Sequence, residues 1–201
     1  MTVQKLTFWN HNAAYYDWLK RETASCASVL DVGCGDGTLC AYLDNGRKAV
    51  TGIDPDEGCI QTARSRGCAN AEFLCADFAA YPFDRGFDAV VFVASLHHME
   101  MRRAVQKAKS LLHPGGSLLI VGLAKPSSVL DCAVEALRVL PCAVSSRLKH
   151  MKTSEEQSIP VSYVFPTMNE VRRTARELLP GAKLRYGLYY RYLLKWEAPN
   201  V

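Results

Sequence analysis

The stretch Val29-Leu30-Asp31-Val32-Gly33-Cys34-Gly35-Asp36-Gly37 decides the fold of this 201-residue chain. Residues 29–32 are apolar except for Asp31, and this pattern predicts a short buried strand. Three glycines at alternate positions then lead into residues 38–43, whose apolar spacing predicts a helix. A strand that ends in a glycine loop and continues as a helix presents backbone N–H groups to a ligand. The stretch therefore predicts a nucleotide-type binding loop.

The spacing of the glycines narrows the choice of ligand. Gly33, Gly35 and Gly37 form G-x-G-x-G, whereas dinucleotide-binding loops read G-x-G-x-x-G and phosphate loops end in Lys-Ser or Lys-Thr. Asp31 lies inside the strand just before the loop. Its carboxylate suits a ligand with ammonium and sulfonium charges better than one with a pyrophosphate.

The length of the chain fits a single α/β domain. The formal charge is +4 and the basic residues are scattered, so no nucleic-acid partner is indicated. Eight cysteines without a C-x-x-C pair indicate reduced thiols and no metal site. We find no signal-like segment and no run of the ~20 apolar residues that a membrane span needs. We therefore expect one cytoplasmic domain over residues 1–201.

Predicted strands and helices alternate along the chain. This alternation predicts an α/β fold with a doubly wound, mostly parallel sheet between helices, in three αβα layers. The last two predicted strands close the sheet and place an antiparallel strand near its C-terminal edge. After the first strand, the predicted strands cover residues 49–54, 72–78, 87–95, 117–122, 182–189 and 191–196, and Thr167 to Glu170 forms a capping box that opens a helix.

Polar or small residues follow four successive strands of this predicted sheet. Asp31 and Gly33 end the first strand, Asp54 the second, Asp77 the third and Ala94 the fourth. The carboxyl ends of parallel strands lie at one edge, so a single ligand that touches all four explains this order. A carboxylate such as that of Asp54 can accept both hydrogen bonds of a ribose diol. Alternatively, Asp54 caps the following helix.

This ordered set, over residues 29–122, resembles the class I S-adenosylmethionine (SAM)-dependent methyltransferases. The resemblance implies a Rossmann-like fold and transfer of a methyl group from SAM, with S-adenosylhomocysteine (SAH) as product. It assigns Asp77 to the adenine amino group and the backbone of Phe78 to a ring nitrogen, and we expect the Phe78 ring to pack on the adenine face. The cofactor-binding residues expected on this basis are Asp31, Gly33, Cys34, Gly35, Asp54, Pro55, Asp77, Phe78 and Ala94.

Two further segments are expected to surround the site. Residues 1–27 are expected to form a helical N-terminal lid, and Tyr16 is the candidate for contact with the methionine carboxylate of SAM. Alternatively, the aromatic residues of this N-terminal segment pack on the edge of the sheet and have no binding role. Residues 124–165 are expected to cover the substrate, or alternatively to form a dimer contact, so the chain is expected to be a monomer or a homodimer.

His97 and His98 follow the fourth strand, where the family places groups that face the substrate. On an extended segment, adjacent side chains point in opposite directions, so we expect at most one of them to act as a general base, and we favour His98. The alternative is that both only pack. The Leu-His-His and His-Pro-Gly-Gly motifs are similar to those of quinone-biosynthesis methylases, and the Asn/Asp-Pro-Pro-Tyr set of amino methylases is missing. This implies a small-molecule acceptor and leaves O, N, S and C methylation open.

Two other functions remain open from the sequence. The domain could bind SAM or SAH without catalysis, as a sensor or as the partner subunit of an enzyme. A nucleotide-linked oxidoreductase is disfavoured by the G-x-G-x-G spacing and by the lack of an evident hydride-transfer site.

Overall fold

The computed structural model describes residues 11–134, 136–137, 165–188 and 190–200. Its core is a seven-stranded sheet in the order β3-β2-β1-β4-β5-β7-β6. The strands are β1 (Ser28–Val32), β2 (Ala49–Asp54), β3 (Ala71–Cys75), β4 (Phe87–Val93), β5 (Leu112–Leu123), β6 (Lys183–Tyr186) and β7 (Arg191–Glu197).

The direction of the strands confirms the predicted fold class. β1 to β5 pair in parallel, and β7 runs antiparallel to both β5 and β6. β1 lies between β2 and β4, so the order of the strands reverses at this point. Ligands of doubly wound sheets bind outside the carboxyl ends of the strands at such a reversal. The glycine loop that follows β1 lies at this place.

Helices cover both faces of the sheet. The helices whose bounds lie fully within the described residues are α1 (Tyr16–Glu22), α2 (Thr38–Leu43), α3 (Glu57–Ser65), α4 (Met101–Ser110) and α5 (Met168–Leu178). Residues of α1, α2 and α3 form one buried cluster with Val29 of β1, while residues of α4 and α5 form the other with Leu30 and Val32. Side chains alternate along a strand, so Asp31 points toward the side of α1 and α2.

Local side-chain bonds account for two helix starts. Asp56 caps α3, because its Oδ1 accepts a hydrogen bond from the N–H of Cys59 at 2.8 Å. Thr167 and Glu170 form the predicted capping box at the start of α5. No helix in the described ranges is both long and apolar enough to span a bilayer.

Two local features go beyond the expected outline. The described part of the N-terminal segment contains a 3₁₀ turn (Ala13–Tyr15) followed by the short helix α1. Residues 113–116, which precede the strand predicted over 117–122, lie inside β5. Phe87 pairs with Leu112 and Ala89 with Ser117, so the strand bulges here to accommodate the additional residues.

The segment expected to cover the substrate lies mostly outside the described residues. Its start is helical over residues 129–134 and is anchored by Asp131, whose side chain is 1% exposed. The carboxylate of Asp131 accepts hydrogen bonds from the Arg172 guanidinium at 2.5 Å, from the N–H of Ser127 at 2.8 Å and from the hydroxyl of Tyr186. This network ties the start of the segment to α5 and β6.

Candidate functional site

The three glycines of the loop have positive φ but different surroundings. Their φ angles are +72° at Gly33, +52° at Gly35 and +73° at Gly37. A β-carbon on Gly33 would overlap that of Ser95, and one on Gly37 would lie 2.8 Å from that of Ala63. A β-carbon on Gly35 would meet no atom within 4 Å. Gly33 and Gly37 therefore serve close packing, and Gly35 faces the open space in which a ligand can lie.

Hydrogen bonds from β2 hold the loop in place. The carbonyl of Ile53 accepts from the N–H groups of Gly33 at 2.8 Å and Cys34 at 3.2 Å. Asp54 accepts from the N–H of Gly35 through Oδ2 at 2.9 Å, and from the N–H of Asp56 through Oδ1 at 3.0 Å. The cap of α3 is Asp56 and not Asp54, so the alternative role of Asp54 as a helix cap is wrong. Asp54 binds the glycine loop instead.

Asp31 is a buried carboxylate at the base of the loop. It is 2% exposed, and burial, together with the nearby charges of Asp54 and Asp36, raises its pKa to about 7. The thiol of Cys40 donates to its Oδ2 at 3.4 Å, and this is its one side-chain hydrogen bond within the described part of the chain. A thiol is a weak donor, so the ionised carboxylate lacks compensation for its burial. A bound cation would supply that compensation.

Tyr16 comes close to the same carboxylate. It is buried in α1, and burial raises the pKa of its hydroxyl well above the usual value, with further contributions from Asp31 and Asp36. Its ring packs against that of Tyr42 at 5.6 Å between centroids. The N-terminal segment thus brings Tyr16 within electrostatic range of Asp31 and Asp36.

The turn after β3 offers one acceptor and one donor. Asp77 is exposed, and its Oδ1 accepts from the N–H of Ala79 at 2.9 Å. The ring of Phe78 is 2% exposed and packs edge-on against Phe92 at 5.7 Å, so it has no face free for adenine. Our expectation that this ring stacks on adenine is therefore wrong. The backbone N–H of Phe78 makes no hydrogen bond within the described ranges and remains available to a ligand.

The end of β4 is strained. Ala94 has a φ of +53°, a conformation that residues other than glycine rarely adopt. The next residue, Ser95, donates from Oγ to the carbonyl of Val32 at 2.5 Å. This bond ties the end of β4 to the end of β1 and directs the chain toward the two histidines.

His97 and His98 lie on the same side of the chain, contrary to expectation. Residues 96–98 form a 3₁₀ turn instead of an extended segment, and the ring centroids are 4.1 Å apart. His98 is exposed, whereas Nδ1 of His97 is buried without a hydrogen-bond partner among the described residues. Burial, with smaller contributions from His98 and Arg191, lowers the pKa of His97 to about 4. An unpartnered ring nitrogen therefore distinguishes His97 from the exposed His98.

Arg191 is a buried side chain at this edge that the sequence did not single out. It begins β7, is 8% exposed, and its guanidinium donates to Oδ1 of Asn12 at 2.6 and 3.1 Å. Tyr15 donates from its hydroxyl to the carbonyl of Leu188 at 2.7 Å. The N-terminal segment is thus joined to the turn between β6 and β7. An arginine within an alternating strand carries no signal of such a contact.

These groups together match the chemistry of SAM. The buried carboxylate of Asp31 suits its cationic methionine end, and Gly35 leaves space for it beside the loop. The carboxylates of Asp54 and Asp77 at successive strand ends suit the ribose hydroxyls and the adenine amine. The free N–H of Phe78 suits a ring nitrogen. The residues present therefore fit this cofactor.

Comparisons with known proteins agree with this chemistry. Residues 29–116 match the model of a methyltransferase domain family. A Mycobacterium tuberculosis protein described as an uncharacterized methyltransferase is 39% identical over 199 residues, which cover 95% of this chain and 98% of that protein. A probable tRNA methyltransferase 9B of Bos taurus is 36% identical over 98 residues, which cover 46% of this chain and 20% of that protein.

A solved structure shows the same fold at low identity. The magnesium protoporphyrin IX methyltransferase of Synechocystis, determined with bound SAH, superposes with a TM-score of 0.61 at 17% identity and covers 93% of this chain and 81% of its own. The fold, the matching domain and the relative that is similar along nearly the whole length lead to one assignment. This chain belongs to the methyltransferase family, and its fold is that of the SAM-dependent methyltransferases.

Proposed function

We propose that this methyltransferase transfers the methyl group of SAM to a small-molecule acceptor and releases SAH. The observation that carries the proposal is the convergence of the glycine loop, Asp54, Asp77 and Ala94 on the carboxyl ends of four adjacent strands, with a buried histidine nitrogen beside them. When bound, SAM supplies a methyl group that is already activated on a sulfonium. The protein then has mainly to align the acceptor and exclude water.

The cofactor is expected to lie across the strand ends. The carboxylate of Asp54 would accept hydrogen bonds from the ribose hydroxyls, while Asp77 and the N–H of Phe78 would bind the adenine edge. Asp31 and Tyr16 would face the methionine end. The remaining contacts are expected from the loop and strand ends at Gly33, Cys34, Gly35, Pro55 and Ala94.

His97 is the proposed general base. Its ring nitrogen Nδ1 has no hydrogen-bond partner among the described residues, so a neutral imidazole has a lone pair for the proton of an acceptor hydroxyl or ammonium. Burial lowers its pKa to about 4, so it is a weaker base than an exposed histidine. The ring of Phe165 packs against it at 4.9 Å between centroids. A half-buried imidazole beside an aromatic ring suits a small acceptor.

The charge pattern of this chain favours a small acceptor. Its relatives include a probable tRNA methyltransferase, and its structural neighbours include a porphyrin methyltransferase. The formal charge of +4 is modest for a protein that must bind a polyanion, and the basic residues form no run in the sequence. These features favour a small molecule over tRNA.

Two measurements test the proposal. Ligands that bind only the native state raise the melting temperature, so SAM and SAH are expected to raise it and NAD is not. Release of SAH is then measured across a panel of small hydroxyl, amine, thiol and carbon acceptors, with tRNA as a separate arm. Methylation of tRNA alone would overturn the small-molecule assignment. Tight SAM binding without turnover of any acceptor would indicate a silent sensor or partner subunit, and a shift with NAD alone would overturn the cofactor.

A further inference from the structure

Arg66 follows α3 and reaches back to the glycine loop, 30 residues earlier in the sequence. Its Nε donates to the backbone carbonyl of Asp36 at 2.5 Å, and one Nη donates to Oγ1 of Thr38 at 2.9 Å. The same Nη forms an ion pair with the Asp36 carboxylate. Both side chains are partly buried, with 26% of Arg66 and 35% of Asp36 exposed. One guanidinium thus binds the backbone, a carboxylate and a hydroxyl of the loop at once.

Asp36 in turn binds Thr38, the first residue of α2. Its Oδ1 accepts hydrogen bonds from the hydroxyl of Thr38 at 2.7 Å and from its N–H at 3.2 Å. Gly37, the residue at the N-cap position, has no side chain that could do this. Asp36 also stands between two glycines in the left-handed conformation, which lose much conformational freedom when the loop is ordered.

We infer that Arg66 is a positioning residue for the cofactor: it holds Gly35, Asp36 and Thr38 in the binding geometry without touching the cofactor itself. The inference rests on the proposed binding of SAM at this loop. A loop that is ordered in advance binds its ligand more tightly, because the entropy of ordering is not lost on binding. The planar guanidinium serves three acceptors, whereas a lysine ammonium in its place would act as a point charge on a flexible chain.

The test compares SAM and SAH affinity by isothermal titration calorimetry in Arg66→Met, Arg66→Lys and a matched control, Arg102→Met. Arg102 forms a half-exposed ion pair with Glu177 on α5, on the other face of the sheet. We expect Arg66→Met to weaken both affinities by about tenfold, consistent with the loss of charge-assisted hydrogen bonds. Arg66→Lys should recover part of this loss, and Arg102→Met should bind as the wild type does. With an acceptor that is turned over, KM for SAM should rise while kcat at saturating SAM stays within about twofold.

The outcomes separate this inference from the proposed function. If the wild type does not bind SAM, the proposed function fails. If the wild type binds SAM and Arg66→Met binds it equally well, only the positioning role fails. Should Arg66→Met not fold, Thr38→Val decides, because it removes one acceptor of Arg66 while keeping the shape of the side chain. A SAM affinity of Thr38→Val equal to that of the wild type would then overturn the role.

Discussion

Ser95 lies directly against Gly33, so that a β-carbon on the glycine would overlap the β-carbon of Ser95 and lie 3.1 Å from its Oγ. The same Oγ donates to the carbonyl of Val32, the residue before the glycine. The ends of β1 and β4 are therefore joined where the cofactor loop begins. Gly33 is needed for this packing, whereas Gly35 faces open space.

Alanine substitutions at the two glycines should affect different properties: stability at Gly33 and SAM binding at Gly35. Gly33→Ala combines a positive φ with overlap of Ser95, and we expect it to lower the free energy of unfolding by about 3 kcal/mol. Gly35→Ala should cost only about 1 kcal/mol, because nothing surrounds the new methyl group. It should nevertheless weaken SAM binding, since that methyl group would occupy the ligand's space. Urea unfolding and calorimetric titration measure the two effects, and a Gly33→Ala protein as stable as the wild type would contradict the packing role.

The affinity for SAM should fall as the pH is lowered below 7. The pKa of Asp31 is raised to about 7 in the folded protein, so a proton and the cationic cofactor compete for the same carboxylate. Above pH 7 the carboxylate is ionised and affinity should be level. Below pH 7 affinity should drop by up to about tenfold per unit. In Asp31→Asn the affinity should be weaker and flat from pH 6 to 8, and a wild-type affinity that does not change over this range would exclude the role.

Replacing His97 should reduce turnover and spare cofactor binding. We expect His97→Ala to lower kcat by about 100-fold or more with any acceptor whose proton must leave, while the SAM affinity stays within about twofold. His98→Ala provides the matched control and should change kcat little, because that ring is exposed. Rates come from SAH release at saturating SAM, and affinities from titration. Equal losses of turnover and affinity in His97→Ala would show a structural role instead.

Asp131→Asn should destabilise the start of the segment between β5 and α5. Its carboxylate is buried and bound by Arg172, so loss of the charge should cost about 3 kcal/mol at pH 7. Hydrogen bonds from Arg172 hold the pKa of Asp131 well below its usual range. The ionised Asp131 therefore stabilises the folded protein above about pH 4, and this stabilisation is lost as the pH falls further. The free energies of unfolding of the variant and the wild type should converge there. Glu177→Gln, in an exposed pair with Arg102, should cost less than 1 kcal/mol, and a similar cost in both variants would contradict the argument.

The sequence was sufficient to predict the sheet and the position of its acidic residues. Apolar strands alternating with helices permit few topologies, and Asp54 and Asp77 follow strands whose carboxyl ends must share an edge. The capping box at Thr167 was predictable for a similar reason, since its bonds join residues three positions apart. Features that depend on local spacing can thus be read from the chain.

Other features depend on contacts that spacing does not encode. The directions of His97 and His98 follow from a 3₁₀ turn, which the apolar pattern did not indicate. The burial of Phe78 depends on Phe92 of another strand, and the role of Arg66 depends on a loop 30 residues away. No periodicity or motif links the members of these pairs, so only the folded chain shows them.

The contacts of α1 and the residues before it with the β6–β7 region have a consequence for synthesis on the ribosome. Asn12 pairs with Arg191, Tyr15 with Leu188 and Glu22 with Lys195, across at least 173 positions in each case. A nascent chain can build the glycine loop early, but Asn12, Tyr15 and Glu22 cannot make these contacts until residues 188–195 have left the exit tunnel. The contacts that fix α1 beside the site therefore form long after the glycine loop has been synthesised.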